Sequence, residues 1–451
     1  MLLFVLAFEH SIVQERRKFG PIGWNVPYEF NQSDLSACVQ FLQNHLTEMD
    51  AKKLNSPTWP TVTYMISQIQ YGGRITDPFD ELLMDTYAGQ YFNKGSLEKG
   101  LELFKGYVVP DETDIAKFRA AIEDLPSQES PEIFGLHPNA DLTFRTLAVA
   151  GMIDTVVSTM PKAGGGGGGM SPEETVDGIC EDLLGKVPSE FQPEVTKELL
   201  RKLPGGPTQP LTVHLRQEID RLNIIINLTT KTLRDLRLAI AGTIALAGDL
   251  VEALDKLFNA SIPSAWLKKS WESSTIGSWF QGLLRRHDQL DRWLHRGRPK
   301  GYWLTGFFNP QGFLTAMKQE VNRLHAKDKW ALDDVVMTSE VTNPPKEIEQ
   351  LKDEPKEGVY VYGLFLEGCR WDGKMNCLVD SEPKKLFTPL PVLYVTGVQQ
   401  KDKPTKNVFE APTYKVKKRT GLNFITTFTV RTQEPTSKWV MRGVALLASV
   451  D

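Results

Sequence analysis

The sequence predicts an α+β fold that is mostly α-helical and ends in an antiparallel β-sandwich or partial barrel. Helical patterns separated by turn signals fill the sequence up to about residue 340. One apolar stripe with alternating steps of three and four residues runs through 212–258. After residue 340, short β-branched and aromatic runs alternate with turn signals, as strands do. We therefore expect a small helical domain over 1–110, a helical part over 111–340 and a β-domain over 341–451.

The composition is that of an ordinary globular protein. The protein has 451 residues, of which 41% are hydrophobic and 24% charged, and this length suggests about two to four domains. With 52 basic and 56 acidic side chains the formal net charge is −4, which disfavours a dedicated nucleic-acid binder. Four cysteines are too few for a disulfide framework and indicate a reducing, cytoplasmic compartment.

The N-terminal segment predicts a buried helix over 1–18. Its opening apolar run, Met1–Phe8, is shorter than the roughly 20 residues that a membrane-spanning helix needs, and it lacks the basic start of a signal peptide. Gly20 and Pro21 are expected to end the helix. Because a native protein rarely starts inside a core helix, we expect these residues to be the C-terminal piece of a larger protein, with no membrane partner.

Three more helical patterns complete the first 110 residues. Ser33 is the expected N-cap of a helix over 34–49. Prolines at 57 and 60 open a second pattern that ends at Gly72 and Gly73, and a third covers about 78–92.

Six consecutive glycines, Gly164–Gly169, interrupt the helical part of the sequence. Such a run forms a flexible segment. A surface-loop insertion is the favoured interpretation, and a domain boundary is the alternative. A new helix is expected directly afterwards, because Ser171 and Glu174 have the spacing of a capping box around Pro172.

The stripe over 212–258 predicts one helix of roughly 70 Å. No proline interrupts it. A dimerising coiled coil is one interpretation. A long packing helix within a larger assembly is favoured, because Thr229, Thr243 and Ala247 weaken the seam.

The last 110 residues contain five strand-like runs. Asp372 and Gly373 form a hairpin turn signal among them. The runs are Val359–Leu366, Pro391–Val395, Thr413–Val416, Asn423–Val430 and Val440–Ala448.

One segment has most of the spacing of a phosphate-binding loop. Gly368, Gly373 and Lys374 fall at the expected positions, but Met375 stands where a Ser or Thr would bind Mg²⁺. No helix is predicted after it, so the helix N-terminus that would bind phosphate is missing. A hairpin turn is the favoured interpretation.

Other constellations for chemistry are weak. His287, Asp291 and His295 share a helix face but span two turns, so a solvated face is favoured over a metal site. Cys369 and Cys377 flank the hairpin signal without a zinc-binding spacing. No nucleophile motif is present, and a hydrolase is disfavoured. We expect no catalytic residue, no metal and no cofactor in this protein segment.

Basic clusters occur at Arg285-Arg286, Arg296–Lys300 and Lys415–Arg419. Each could meet an acidic protein surface, a microtubule or phosphate. A solvated face is the favoured interpretation for all three.

Seven strings, spread across nearly the whole length, carry a family resemblance. They are Gln14–Asn25, Pro27–Asn31, Ile69–Asp77, Pro131–Ala140, Trp303–Leu314, Gly358–Gly368 and Trp439–Leu447. These strings resemble the C-terminal end of dynein heavy chains and stand in the family order. The version at 307–317 is more similar to axonemal outer-arm chains of the gamma type than to cytoplasmic ones. The six-glycine run departs from the family pattern.

The resemblance implies a place within an ATP-driven, minus-end-directed microtubule motor that powers ciliary and flagellar beating. Residues 1–110 would be the small helical (lid) subdomain of the sixth AAA+ module, and 111–451 the dynein C-terminal domain. ATP and Mg²⁺ would bind in other modules. This segment would close and regulate the AAA+ ring without catalysis, in the cytoplasm and cytoskeleton of the axoneme.

The resemblance also implies partners. These are the remaining AAA+ modules of the same heavy chain, other dynein heavy, intermediate and light chains, and microtubules indirectly through a stalk absent from these residues. Arg16, Arg17, Trp24 and Arg74 are the candidate intra-ring interface residues, because Arg and Trp often anchor interfaces. The alternative is a free-standing cytoplasmic scaffold that dimerises through 212–258.

Overall fold

The computed structural model confirms the predicted α+β class, with 54% of the residues that it describes in helices and 13% in strands. The glycine run lies outside the described residues. The structure describes residues 1–54, 56–111, 114–159, 171–246 and 248–450.

Most helices follow the predicted order, and several begin at a visible cap. Ser171 and Glu174 form the predicted capping box. The helix predicted to start after Ser33 is instead capped by Asn31, whose side chain accepts the Ser33 amide. The α-helices are α1 Leu2–Glu15, α2 Gln32–Ala51, α3 Trp59–Tyr64, α4 Pro78–Tyr91, α5 Ile115–Glu123, α6 Ala140–Thr159, α7 Pro172–Lys186, α8 Pro193–Lys202, α9 Pro210–Ile240, α10 Asp249–Phe258, α11 Ser264–Leu267, α12 Ile276–Arg296, α13 Pro310–Leu324 and α14 Thr436–Met441.

The strands form two larger sheets and two short hairpins in the described part of the protein. The strands are β1 Glu102–Phe104, β2 Tyr107–Val108, β3 Tyr302–Trp303, β4 Val335–Val341, β5 Val359–Tyr362, β6 Phe365–Glu367, β7 Arg370–Asp372, β8 Cys377–Val379, β9 Phe387–Pro389, β10 Leu393–Gln399, β11 Val408–Tyr414, β12 Phe424–Arg431 and β13 Ala445–Leu447.

The strand order is β3-β5-β10-β4 in the four-stranded sheet and β12-β11-β13-β6-β9 in the five-stranded sheet. Most neighbours are antiparallel, but β3 pairs with β5, and β11 with β13, in parallel. The sheets are therefore mixed, and the parallel pair of β11 and β13 differs from the antiparallel β-domain that the sequence predicts over 341–451. The predicted hairpin is confirmed, since β7 and β8 pair antiparallel with Asp372 opposite Cys377.

The protein forms two compact units, each assembled from separate stretches. The first contains 1–158, 365–390 and 405–450, and the second contains 159–364 and 391–404. The division at residues 110 and 340 that the sequence predicts stays a prediction.

The first unit combines the N-terminal helices with the five-stranded sheet. Its main core includes residues of α1, α2 and α4, and Val440 and Met441 of α14 pack against that core. In the sheet, β11 pairs antiparallel with β12 from Val408 opposite Arg431 to Tyr414 opposite Phe424, with a register shift after Thr413. A smaller apolar cluster of Tyr414, Ala445 and Leu447 lies within the sheet. Residues from both ends of the sequence therefore share one unit.

The second unit is built around α9, which contacts α7, α10, α12 and α13. Glu218 of α9 accepts the amides of Phe308 (2.6 Å) and Asn309 (3.0 Å) and so fixes the start of α13. Helix α13 in turn packs on β4 and β10 of the four-stranded sheet.

The prediction of a single helix over 212–258 is wrong. Helix α9 ends at Ile240, and α10 begins only at Asp249. Gly242 and Gly248 both have positive φ (+74° and +56°), a conformation that ends a helix and that glycine adopts easily. The apolar stripe continues across the break because α10 packs against α7 and α9.

The stripe on α9 is covered within the same polypeptide. Its residues are at most 2% exposed, so a coiled-coil dimer could use this seam only after α9 left its own unit. The alternative of a scaffold that dimerises through 212–258 therefore has no exposed apolar seam on α9 to use. These residues are Leu215, Ile219, Leu222, Ile226, Leu233 and Leu236.

The prediction of a last strand over 440–448 is also wrong in part. Its first residues belong to α14, and only Ala445–Leu447 are extended. Gly443 lies between them with φ +63°, a conformation that interrupts a strand. Within the described residues, no helix is both long and apolar enough to span a bilayer.

Candidate functional site at a buried arginine

A tight turn directly after α1 encloses the side chain of Arg16. The backbone leaves α1 as a 3₁₀ segment, Arg16–Ile22, which is kinked at Gly20 with φ +64°. Any Cβ at Gly23 would lie 2.1 Å from the carbonyl oxygen of Arg16. Glycine at position 23 therefore permits the backbone to fold back over the arginine.

Arg16 is fully buried and donates to five acceptors. Its Nε donates to the Gly23 carbonyl (2.6 Å), and its Nη2 donates to the Met441 carbonyl (2.7 Å) and, over a longer distance, to the Ile22 carbonyl (3.4 Å). Its Nη1 donates to the Tyr87 hydroxyl (2.5 Å) and to the Phe134 carbonyl. Burial lowers the pKa of Arg16, and the nearby Tyr87 partly offsets that effect.

Three of these acceptors come from distant parts of the sequence. Tyr87 lies on α4, Phe134 ends a 3₁₀ turn after α5, and Met441 ends α14, 425 residues beyond Arg16. A buried guanidinium is stabilised only when its donors are paired, and these three acceptors belong to different elements. Arg16 therefore joins the N-terminal helices to the C-terminal end of the first unit.

The turn after α14 is pressed against the same N-terminal segment. A Cβ at Gly443 would lie 2.2 Å from the Ile22 carbonyl oxygen, and its φ of +63° also favours glycine. Arg442 donates to the Leu136 carbonyl. We call three contacts together the arginine joint: Arg16 with Met441, Arg442 with Leu136, and Gly443 with Ile22.

A second set of contacts ties α4 to the five-stranded sheet. The Asn25 side chain donates to Asp77 and to the Tyr414 hydroxyl of β11, both at 3.0 Å. Asp80 accepts the amides of Asn25 (3.0 Å) and Val26 (3.1 Å). Burial raises the pKa of Asp80 to about 6, although those two amides oppose the shift.

A small cleft lies beside the arginine joint, and Arg16, Asp80 and Arg419 line it. Arg419 is buried and forms an ion pair with Glu367 of β6. The charged groups are thus bound to neighbours of the same unit. This arrangement can hold elements in place, and it brings together no nucleophile and base.

The four predicted interface residues take different positions. Arg16 and Trp24 are buried, and Trp24 donates to the Val13 carbonyl at 3.0 Å. Arg17 is exposed. Arg74 is exposed and pairs with Asp34 of α2 at 2.8 Å. Arg16 and Trp24 thus serve internal contacts, and a role of the four residues at a ring interface stays a prediction.

Sequence reasoning missed Met441, Arg442 and Gly443. A glycine directly after an apolar helical run is a signal for a helix end in the left-handed conformation. That signal is present, but the expectation of one strand over 440–448 conceals it.

The segment with phosphate-loop spacing forms the turn between β7 and β8. The Asp372 carboxylate accepts the amides of Lys374 (2.9 Å) and Met375 (3.0 Å), and these bonds lower the pKa of Asp372. A phosphate-binding loop needs such amides for the ligand, whereas these two face a carboxylate of the protein itself.

The other predicted candidates lie apart from one another. His287 faces the Ser189 carbonyl, and His295 pairs with Asp291. Cys369 and Cys377 are buried free thiols, and burial raises the pKa of each. Across the described ranges, no group of three or more His, Cys, Asp or Glu side chains is placed to hold a metal ion.

Comparison with known proteins identifies the domains that the arginine joint connects. The sequence model of the AAA lid domain of dynein heavy chains matches residues 1–140, and that of their C-terminal domain matches residues 146–448. The protein belongs to the dynein heavy chain family. Arg16 lies in the lid and Met441 in the C-terminal domain, so the arginine joint connects the two family domains.

The relatives agree with the subtype that the sequence predicts. Over all of its length, the protein is 66% identical to the dynein gamma chain, flagellar outer arm, of Chlamydomonas reinhardtii. It is 45% identical to dynein axonemal heavy chain 5 of Mus musculus and to dynein axonemal heavy chain 8 of Homo sapiens. It covers 10% of each of these proteins. The resemblance to the outer-arm gamma type is thereby confirmed.

Proposed function

We propose that these residues are a non-catalytic segment that closes and regulates the AAA+ ring of an axonemal dynein heavy chain. The parent protein would be an ATP-driven, minus-end-directed microtubule motor of the flagellar outer arm. The 66% identity to an outer-arm gamma chain supports the assignment to this motor class.

The arginine joint is the observation that carries the regulatory part. A lid moves with the nucleotide state of its ring, and a domain fixed to that lid must follow it. Here the fixed contacts are a fully buried guanidinium and a glycine that leaves no room for a side chain. We infer that the lid and the five-stranded sheet move as one body, so lid motion reaches the C-terminal domain directly.

The non-catalytic part rests on the β7–β8 turn. Its amides are bound to Asp372, so ATP and Mg²⁺ are assigned to other modules of the parent protein. A titration of residues 1–451 with Mg-ATP should give no saturable binding. Saturable binding that Lys374→Ala abolishes and Lys401→Ala leaves intact would overturn this part.

The proposed partners are the other AAA+ modules, the other dynein chains and, through the stalk of the parent protein, microtubules. An immunoblot of axonemal protein under denaturing conditions tests the parent assignment, using an antibody against residues 171–451. We expect a band far larger than 50.8 kDa that leaves the axoneme with the outer arms. A band at 50.8 kDa alone would mean an independent protein.

A further inference from the structure

The loop between β11 and β12 carries a basic cluster that the proposed function leaves unexplained. Residues 415–423 contain four Lys or Arg residues and no Asp or Glu, although acidic residues outnumber basic ones in the whole protein. A basic stretch of this kind is most often a solvated surface. Three further features of this loop argue for a more specific use.

The loop is anchored from the inside. Arg419 points into the first unit, where it is buried and pairs with Glu367. The base of the loop closes through the Lys415 amide, which donates to the Asn423 carbonyl at 2.8 Å. The Asn423 side chain donates to the Lys418 carbonyl (2.9 Å) and to Thr420 Oγ1 (3.1 Å). These bonds hold the loop in one conformation, which reduces the entropy that a partner must remove on binding.

The outward side of the loop carries two ammonium groups that no carboxylate neutralises. Lys417 and Lys418 are exposed, and neither has a carboxylate partner in the part of the protein that the structure describes. Lys417 Nζ lies 5.9 Å from the centre of the Phe387 ring, a contact that leaves its charge available to a partner. Leu422 is 93% exposed at the tip. A single exposed leucine is ordinary on a protein surface. Beside two unpaired lysines on a rigid loop, it provides an apolar anchor with a basic rim.

We propose that this basic tip, defined as Lys417, Lys418 and Leu422, docks on an acidic surface elsewhere on the same heavy chain. The leucine enters an apolar notch, and carboxylates beside the notch pair with the two ammonium groups. The docking surface lies outside residues 1–451.

The size of the basic tip decides where its partner must be. Exposed lysine–carboxylate pairs contribute little each, and three side chains cover far less than the roughly 800 Å² per partner of a stable complex. Such a contact between separate proteins would have a dissociation constant on the order of millimolar or weaker. A surface on the same polypeptide has an effective concentration of about that size. These residues are 10% of their relatives' length, so the parent protein offers ample surface.

The test is carbodiimide cross-linking of the intact heavy chain, followed by mass spectrometry. A carbodiimide joins an ammonium group to a carboxylate in direct contact, without a spacer. We expect Lys417 or Lys418 to be linked to an Asp or Glu of the same heavy chain outside residues 1–451. Lys94, an exposed lysine of the same unit, is the reference for random reaction.

Two variants make the test specific. Leu422→Ser should lower the cross-link yield about tenfold, because it removes the apolar anchor and leaves both lysines reactive. Raising the ionic strength should lower the yield as well. A yield no higher than that of Lys94 would overturn the proposal. Links only to carboxylates within residues 1–451, or only to a different polypeptide, would also overturn it.

This proposal depends on family membership and not on the arginine joint. A negative cross-linking result would leave the regulatory proposal intact. A failure of the arginine joint would leave the basic tip untouched.

Discussion

Replacing Arg16 with methionine removes the guanidinium from the arginine joint while keeping an unbranched apolar side chain in its place. Five acceptors lose a donor, but two of them keep a partner, because the Tyr87 hydroxyl also donates to the Phe134 carbonyl at 2.7 Å. The carbonyls of Gly23, Ile22 and Met441 have no other donor among the described residues. Because the bond to the Ile22 carbonyl is long, at 3.4 Å, the main cost comes from the two acceptors at Gly23 and Met441 that the substitution leaves unsatisfied.

The expected cost follows from that count. Each buried acceptor left unpaired costs about 1–3 kcal/mol. The variant also no longer buries a cation, which offsets part of this cost. We expect a net loss of about 2–4 kcal/mol in the contact between the lid and the C-terminal turn. The stability of Arg16→Lys should fall between those of the unchanged protein and Arg16→Met, since one ammonium group cannot reach all five acceptors.

Hydrogen exchange read by mass spectrometry measures this loss where it occurs. Amides of 439–447 should exchange about 30- to 1,000-fold faster in the Arg16→Met variant, which is that free energy converted at about 1.4 kcal/mol per tenfold. Arg17→Met is the matched control, because Arg17 is the exposed neighbour, and its effect should stay within about 0.5 kcal/mol. If Arg16→Met changed exchange only in α1, or no more than Arg17→Met, the reasoning about the joint would be refuted.

Three further predictions address other contacts. Gly443→Ala should lower the thermal midpoint of the first unit by several degrees, because its Cβ would meet a lid carbonyl at 2.2 Å, whereas Gly421→Ala, with open space around it, should have little effect. Burial of Glu9, whose carboxylate oxygens have no hydrogen-bond partner, raises its pKa from 4.5 to about 8. As pH rises, the unfolded protein therefore loses this proton first, and the free energy of unfolding falls between pH 4.5 and about 8. At pH 7 this fall amounts to about 3 kcal/mol, and it should be absent from urea unfolding of Glu9→Gln. His325 bonds to Asp328 and Glu357, which raises the pKa of the imidazole, and NMR titration should show a lower pKa in Glu357→Gln.

Each of these predictions has a result that would contradict it. Equal midpoints for the two glycine variants would mean that the turn after α14 adapts easily. A pH profile of unfolding that is unchanged in Glu9→Gln would place the ionisation elsewhere. An imidazole that titrates at the same pH in both proteins would show that Glu357 does not stabilise its charged form.

Local patterns predicted much of the fold. Ser171 and Glu174 predicted the start of α7, and the Asp-Gly pair predicted the β7–β8 turn, because both signals act within a few residues. The prediction of one long helix was wrong because it gave more weight to the unbroken apolar stripe than to the helix-ending signals of Gly242 and Gly248. Helix α10 keeps the same stripe by packing back on α9, so periodicity alone could not distinguish one helix from two.

The arginine joint could be predicted only in part. The residue type of Arg16 marks it as a candidate anchor, but its partner Met441 lies 425 residues away. A single sequence carries no signal for such a pairing, because tertiary packing and not spacing brings the two together. The local signal at Gly443 was visible, but the contact with Ile22 that requires a glycine there was not.

The most direct test of the central claim is a distance measured in the working motor. Fluorescent labels at Gln90, on the lid, and Ser437, on α14, occupy exposed positions of the first unit. Single-molecule energy transfer in the intact heavy chain would follow their separation through the nucleotide cycle. If the lid and the five-stranded sheet move as one body, the separation stays the same in every nucleotide state. A separation that changes with the nucleotide state would contradict the account.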